Sequence, residues 1–220
     1  MEEFLIIGSI RLPIKWIFIG GALVVTYLAM NIRLSRLNLD KKPLLDTVFN
    51  ALFYGFIVWK LSYVLFNPVH AFAYPLGILY FDGGQKGMLL GILMGFIYIY
   101  FQSTKQSIGI VTYVNLTFSG WLAGSATYFI YLFHTNYFYY SGQIFLAVWL
   151  LFVMSKNKEV DLGKGLSNSL LIYSLGQIFL GYLTQIKPVI FGFTNLQIGF
   201  ILLALLMLIV QKRKRGEKNR

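Results

Sequence analysis

The chain has 220 residues, of which 57% are hydrophobic and 12% are charged, whereas about 25% charged residues are typical of a soluble domain. This composition excludes an ordinary soluble globular protein and favours an integral membrane protein, in which a net charge of +11 first reflects membrane topology rather than nucleic-acid binding. The absence of cysteine excludes disulfides, thiol catalysis and thioether lipidation of the chain itself.

Apolar segments of about the length needed to cross the hydrocarbon core recur along the chain. The predicted helices span residues 13–31, 44–66, 87–102, 108–133, 139–154, 166–184 and 195–211. The first is not expected to be a cleavable signal peptide, because Glu2 and Glu3 make its start acidic and no small-residue cleavage site follows. We therefore predict an all-α membrane protein, a seven-transmembrane-helix bundle formed by residues 1–211 and followed by a basic tail at 212–220.

The basic residues divide unequally between the two ends of these helices. Only four of the 19 fall on the side that the first helix leaves, namely Arg11, Lys15, Lys86 and Lys187. Lys60 lies inside the second helix, and the others fall on the opposite side, where the tail KRKRGEKNR ends the chain. Basic residues favour the cytoplasmic side, so the N-terminus is predicted outside and the C-terminus inside, with the tail against the anionic inner leaflet.

The longest outer connection is NPVHAFAYPLGILYFDGGQK, residues 67–86, which is too apolar for a plain solvated loop. Exposed backbone is excluded from hydrocarbon unless protein buries it. Two interpretations remain open: a segment in the outer interface that serves a lipid site, or a loop that caps the bundle.

Glycines repeat every four residues on two of the predicted helices. Gly87, Gly91 and Gly95 form one stripe, and Gly120 with Gly124 forms another. Small residues at this spacing allow helices to approach closely, so we expect leucine at Gly91 to destabilise the bundle and alanine to be much milder. Packing inside the helices is not expected to explain two further glycines, Gly83 and Gly84.

Few polar side chains fall inside the predicted spans. Lys60 either snorkels towards the outer surface or faces a polar cavity. Asp46, a helix-length away on the same helix, is too far from it to form an ion pair. Hydrogen bonds between helices are expected from three amides, Asn115, Gln143 and Gln177. His70 and His134 are expected to be structural, and no metal-ligand spacing, phosphate loop or nucleophile elbow is present.

Five short stretches resemble, in order, one enzyme family. They are IIGSIRLPIKWIFI (6–19), LLDTVFNALFYGFIVWKLSYVLFNP (44–68), YPLGILYFDGGQKGMLLG (74–91), LIYSLGQIFLGYLTQ (171–185) and GFTNLQIGFILLALL (192–206). They resemble the prolipoprotein diacylglyceryl transferases of bacteria, which move the diacylglyceryl group of phosphatidylglycerol onto a lipobox cysteine. The resemblance implies seven helices with the N-terminus outside and the C-terminus inside, as the charges also predict.

The chain departs from this family at the residues that carry chemistry. Lysines 15 and 86 stand where the family has histidine, and Lys60 stands where it has arginine. The arginine, glutamate and arginine of its penultimate helix correspond to Gln177, Gly181 and Thr184, and its arginine- and asparagine-rich signature is missing from residues 122–130. Lysine binds phosphate only as a point charge, and histidine is the natural base near neutral pH. The resemblance therefore implies a divergent, non-catalytic relative.

The candidate site is an outer-leaflet lipid-binding site whose residues are Lys15, Lys60, Tyr63, Gly83, Gly84 and Lys86. The expected partners are an anionic phospholipid such as phosphatidylglycerol, and a lipoprotein or another membrane protein. No catalytic residue is assigned, and no cofactor, metal or nucleic acid is expected. Two alternatives stay open: an active lipid transferase in lipoprotein biosynthesis with altered catalytic residues, and a small transporter or membrane-complex subunit. The expected location is the bacterial cytoplasmic membrane.

Overall fold

The computed structural model describes residues 4–7, 10–75, 83–156, 162–184 and 192–218. This part of the chain begins with a short antiparallel hairpin, formed by β1 (Phe4–Ile7) and β2 (Ile10–Pro13), in which Leu5 pairs with Leu12. Helices make up most of the rest, and the first of them starts directly after Pro13.

The described helices are α1 (Ile14–Leu37), α2 (Lys41–Phe66), α3 (Pro68–Ala73), α4 (Gly84–Gln106), α5 (Ile110–Leu132), α6 (Tyr137–Lys156), α7 (Leu162–Gly181) and α8 (Asn195–Lys218). Each of the seven predicted helices is present, and a 3-10 turn, Phe133–Thr135, links α5 to α6. The prediction missed the short helix α3 inside the connection at residues 67–86. It also ended α1 six residues early and placed the whole basic tail beyond the last helix, whereas α8 continues to Lys218.

Among the described helices, five are long and apolar enough to cross a membrane, namely α1, α2, α4, α6 and α8 up to Lys212. The protein therefore belongs to the class of all-α membrane proteins. The predicted spans α5 and α7 are richer in hydroxyl and amide side chains, and many of their hydroxyl groups bond to carbonyl groups of their own helix. Ser119 donates to the carbonyl of Leu116, and Ser174 donates to that of Leu170.

Contacts divide the chain into two compact units, Asp40–Val114 and the combination of Met1–Leu39 with Asn115–Arg220. In the first unit, α2 and α4 pack antiparallel. A side chain at Gly95 would meet Ala51, whereas Gly83 lies against Trp59 near the opposite end of α2. The candidate site lies at one end of this helix pair.

In the second unit, α1 packs antiparallel to α5, and α6, α7 and α8 follow one another antiparallel. In the contact between α1 and α5, Gly120 and Gly124 lie against Met30 and Thr26 of α1. The Thr26 hydroxyl also donates to the Gly120 carbonyl at 3.2 Å. Both glycine stripes therefore serve helix packing, as predicted.

Candidate lipid-binding site

The end of α2 and the start of α4 meet at Trp59 and Ser62. The Ser62 hydroxyl donates to the carbonyl of Trp59 at 2.6 Å, and the same carbonyl accepts the Gly83 N–H at 3.2 Å. A Cβ on Gly83 or on Gly87 would collide with the Ser62 hydroxyl oxygen. The expectation that packing does not explain Gly83 was therefore wrong, because its missing side chain makes room for Ser62.

Gly84 is explained by its backbone. Its φ of 57° lies in the left-handed region, although a Cβ there would meet nothing within 4 Å. L-residues with a side chain reach this region at a cost of about 1–2 kcal/mol. Packing therefore does not explain Gly84, as expected, and its left-handed backbone allows the chain to turn sharply into α4.

Two predicted cations belong to this end of the α2–α4 pair. Lys86 is exposed in the first turn of α4, and its ammonium lies 5.9 Å from the ring centroid of Phe66, the last residue of α2. Lys60 is half-buried on α2, one turn before the buried side chain of Tyr63. This location agrees with a lysine whose stem is covered while its head points to the membrane surface.

The sixth predicted residue, Lys15, is exposed at the start of α1 and belongs to the other unit. The other five predicted residues therefore belong to one unit. Three of them, Gly83, Gly84 and Lys86, lie at one end of the α2–α4 pair, next to Phe66. Residues 76–82 of the outer connection lie outside the described residues, so the proposal that this connection forms part of the site stays a prediction.

In the described part of α4, the first turn has no acidic residue, and the N-cap residue is a glycine, Gly83. The N-terminus of a helix carries unsatisfied N–H groups and a positive partial charge. Together with Lys86, this end of the helix favours a negatively charged group. A ring and an ammonium side by side suit the boundary between acyl chains and headgroups.

The prediction missed a buried polar centre at Arg33, which had been assigned to a connecting segment. Arg33 is only 4% exposed and lies within α1. Its Nε donates to the side-chain oxygen of Asn115 at 2.9 Å, and its Nη1 donates to the carbonyl of Met154 at 2.5 Å. The spacing in the sequence could have indicated this burial. Arg33 lies on the same helix face as Thr26 and Met30, which pack against α5.

The amide predictions are confirmed. Asn115 joins α5 to α1 through Arg33, and Gln143 and Gln177 join α6 to α7 by two reciprocal amide hydrogen bonds of 2.8 and 2.6 Å. One helical turn after Gln177, the side chain of Gln197 occupies the space beside Gly181, where a Cβ would approach the Gln197 amide nitrogen to 2.7 Å. These two α7 positions, where the resemblance expects arginine and glutamate, are therefore filled by neutral packing contacts.

Each of the two units contains one histidine. His70 is exposed on α3, and His134 is exposed in the 3-10 turn, where a ring nitrogen lies 3.0 Å from the Tyr131 carbonyl. Asp46, one of the two ionisable groups predicted inside a span, is exposed on α2. Within the described ranges, no three His, Cys, Asp or Glu side chains come together in a way that could hold a metal ion.

Comparisons of the chain with models of protein families, with curated proteins and with solved structures found no match. A relationship to the diacylglyceryl transferases is therefore a proposal that depends on the residues themselves. The structure adds the positions of those residues, which bear on what the site could bind.

Proposed function

We propose that this chain is a multi-pass protein of the bacterial cytoplasmic membrane with seven spans, its N-terminus outside and its C-terminus inside. The antiparallel contacts within each unit support alternating spans. The bond from Arg33 to the Met154 carbonyl brings together the C-terminal ends of α1 and α6, which are the first and fifth long helices. That end of the unit also carries Arg36, Lys156 and Lys164, as expected for a cytoplasmic side.

Its function, in this proposal, is to bind an anionic phospholipid of the outer leaflet at the end of the α2–α4 pair. The observation that carries the proposal is Lys86 beside the Phe66 ring in the first turn of α4. The ammonium and the helix end attract a phosphate, while the ring contacts the top of an acyl chain. Lys60 and Tyr63 supply a second cation and a hydroxyl group on the neighbouring helix.

The site is proposed to bind its lipid without turning it over, as a divergent relative of the diacylglyceryl transferases. Transfer from phosphatidylglycerol expels glycerol-1-phosphate and requires a cysteine thiolate, so it needs a base and a firm phosphate clamp. Lysine lacks the bidentate fork of arginine. Histidine is the natural base near neutral pH, and lysine stands in its place at position 86. A lipoprotein or another membrane protein is the proposed protein partner.

Lipid selectivity tests the binding half of this proposal. We expect Lys60→Gln with Lys86→Gln to weaken retention of phosphatidylglycerol, relative to a zwitterionic lipid, in native mass spectrometry. Each close contact with a charged group contributes about 1.5–3 kcal/mol, so the loss is measurable. The matched control is Lys105→Gln, which removes one exposed charge from the other end of α4. Unchanged selectivity in the double variant would mean that these lysines only snorkel.

Enzyme assays test the non-catalytic half. Purified protein mixed with phosphatidylglycerol and a lipobox peptide should release no glycerol-1-phosphate above background. The gene should likewise fail to rescue a strain depleted of its diacylglyceryl transferase, judged by mass spectrometry of lipoprotein N-termini. Release that Lys86→Gln abolishes would instead establish an active transferase with altered residues.

A further inference from the structure

Helix α6 presents two different apolar faces. Its inner face packs within its unit through Gln143, Leu146, Leu150 and Met154, all of which are buried. A second stripe points away from these residues and consists of Phe145, Trp149 and Phe152, which are 72%, 42% and 57% exposed. Residues at these spacings share one side of a helix, so the stripe is continuous along α6.

The stripe ends in a cation. Lys156, four residues after Phe152, places its ammonium 4.3 Å from the centroid of the Phe152 ring. At about 1.5 Å per residue, the distance from Phe145 to Lys156 is ~16 Å along the helix axis. This is roughly half of the ~30 Å hydrocarbon core. An acyl chain of one leaflet therefore matches the stripe in length, with its headgroup at Lys156.

A second exposed cation lies at the same helix end. Arg36 of α1 donates from its Nη1 to the carbonyl of Ser155 at 3.4 Å, directly beside Lys156. The C-terminus of a helix carries about half a negative charge, which repels an anion. Arg36, Lys156 and the buried Arg33, which binds the Met154 carbonyl, outweigh it. The net local charge of these groups is positive.

We propose that this end of α6 is a second binding site for an anionic phospholipid, in the leaflet that the proposed topology makes cytoplasmic. Its phosphate contacts Lys156 and Arg36, and one acyl chain lies along Phe152, Trp149 and Phe145. A zwitterionic lipid fits the same stripe but gains less from the two cations. The site therefore selects lipids by the charge of the headgroup.

Trp149 provides a local reporter for the test. The full chain, with Trp16, Trp59 and Trp121 changed to Phe, is placed in phosphatidylcholine vesicles that contain either brominated phosphatidylglycerol or brominated phosphatidylcholine. Bromine quenches tryptophan on contact, so we expect Trp149 to report enrichment of the anionic lipid over its bulk fraction. Each surface cation contributes about fivefold to this enrichment, which Lys156→Gln and Arg36→Gln should remove stepwise.

Lys105→Gln is the matched control, because Lys105 is an exposed lysine in the last turn of α4. It should leave the enrichment at Trp149 unchanged. Equal quenching by the two brominated lipids, or an equal loss in the control, would overturn the proposal. If the tryptophan replacements prevent folding, native mass spectrometry of the chain with its four tryptophans decides the question. The Lys156→Gln and Arg36→Gln changes should then lower retained phosphatidylglycerol, and unchanged retention would refute the site.

Discussion

Gly55 and Gly91 face each other at the closest approach of α2 and α4. A Cβ on Gly91 would lie 2.5 Å from the carbonyl oxygen of Gly55, and a Cβ on Gly55 would lie 2.8 Å from that of Gly91. Both distances are shorter than any carbon–oxygen van der Waals contact, and both involve backbone atoms. The two helices can therefore pack at this distance only because neither residue has a side chain.

The first prediction follows from this contact. Gly91→Ala should lower the melting temperature in detergent, and Gly91→Leu should lower it further, because either side chain must displace the backbone of α2. Glycine spacing alone suggested that alanine would be much milder, and the 2.5 Å approach removes that expectation. Gly20→Ala is the control, since a Cβ there meets nothing within 4 Å. It should be neutral or stabilise α1 by up to about 1 kcal/mol, and a wild-type melting temperature for Gly91→Leu would contradict the packing.

The second prediction concerns the entry into α4. Gly84→Ala should destabilise the protein by about 1–2 kcal/mol because of the left-handed backbone. Gly84→Asn should be milder, since asparagine tolerates this conformation better. Thermal unfolding of the two variants beside wild type measures the difference. An alanine variant as stable as the asparagine variant would contradict a positive φ at residue 84.

The third prediction concerns the buried arginine. Arg33→Met should destabilise the protein, because it leaves the Asn115 oxygen and the Met154 carbonyl without this donor, and each bond to a charged group contributes about 1.5–3 kcal/mol. Arg33→Lys should rescue little, since lysine lacks the guanidinium fork. A double-mutant cycle with Asn115→Leu should show coupling. Arg36→Gln, at an exposed and longer bond, should cost less than about 1 kcal/mol, and equal effects at 33 and 36 would refute the distinction.

The fourth prediction uses the paired amides of α6 and α7. Gln143→Leu alone should destabilise the protein, because it leaves the buried Gln177 amide unpaired at a cost of about 1–3 kcal/mol. Adding Gln177→Leu should recover much of the loss, since two apolar side chains of similar size leave no unpaired group. Thermal unfolding of the two single variants and the double variant tests this order. A double variant that loses the sum of the single effects would exclude the pairing.

The fifth prediction tests topology. Single cysteines replacing Lys42 or Lys105, or Lys158 in the connection after α6, should resist an impermeant thiol reagent in intact cells. Single cysteines at His70 and Thr135, two exposed positions at the proposed outer side, should react. This prediction is based on the unequal distribution of basic residues between the two sides. Labelling at 42 and 158 without permeabilisation would exclude the proposed orientation.

Local patterns in the sequence were enough to predict where the helices lie. The hydrophobic runs predicted each of the seven long helices, because burying backbone hydrogen bonds in an apolar environment requires long helical segments. They misplaced the end of α1, because the hydrophobic run stops before Arg33 although the helix continues to Leu37. The same reasoning predicted helix contacts for Gly87 and Gly120 and hydrogen bonds for Gln143, because small and amide side chains inside an apolar helix have few other roles.

The sequence by itself determined the membrane class, the helices and the residue types that hold them together, since these depend on hydrophobicity and side-chain chemistry within one segment. Only the tertiary structure decided the partners. It showed that Arg33 is buried against the end of α6, that Ser62 occupies the space Gly83 leaves, and that Lys86 lies over Phe66. Each of these contacts joins residues that are far apart in the chain, and the register of one helix against another, which no local pattern encodes, brings them together.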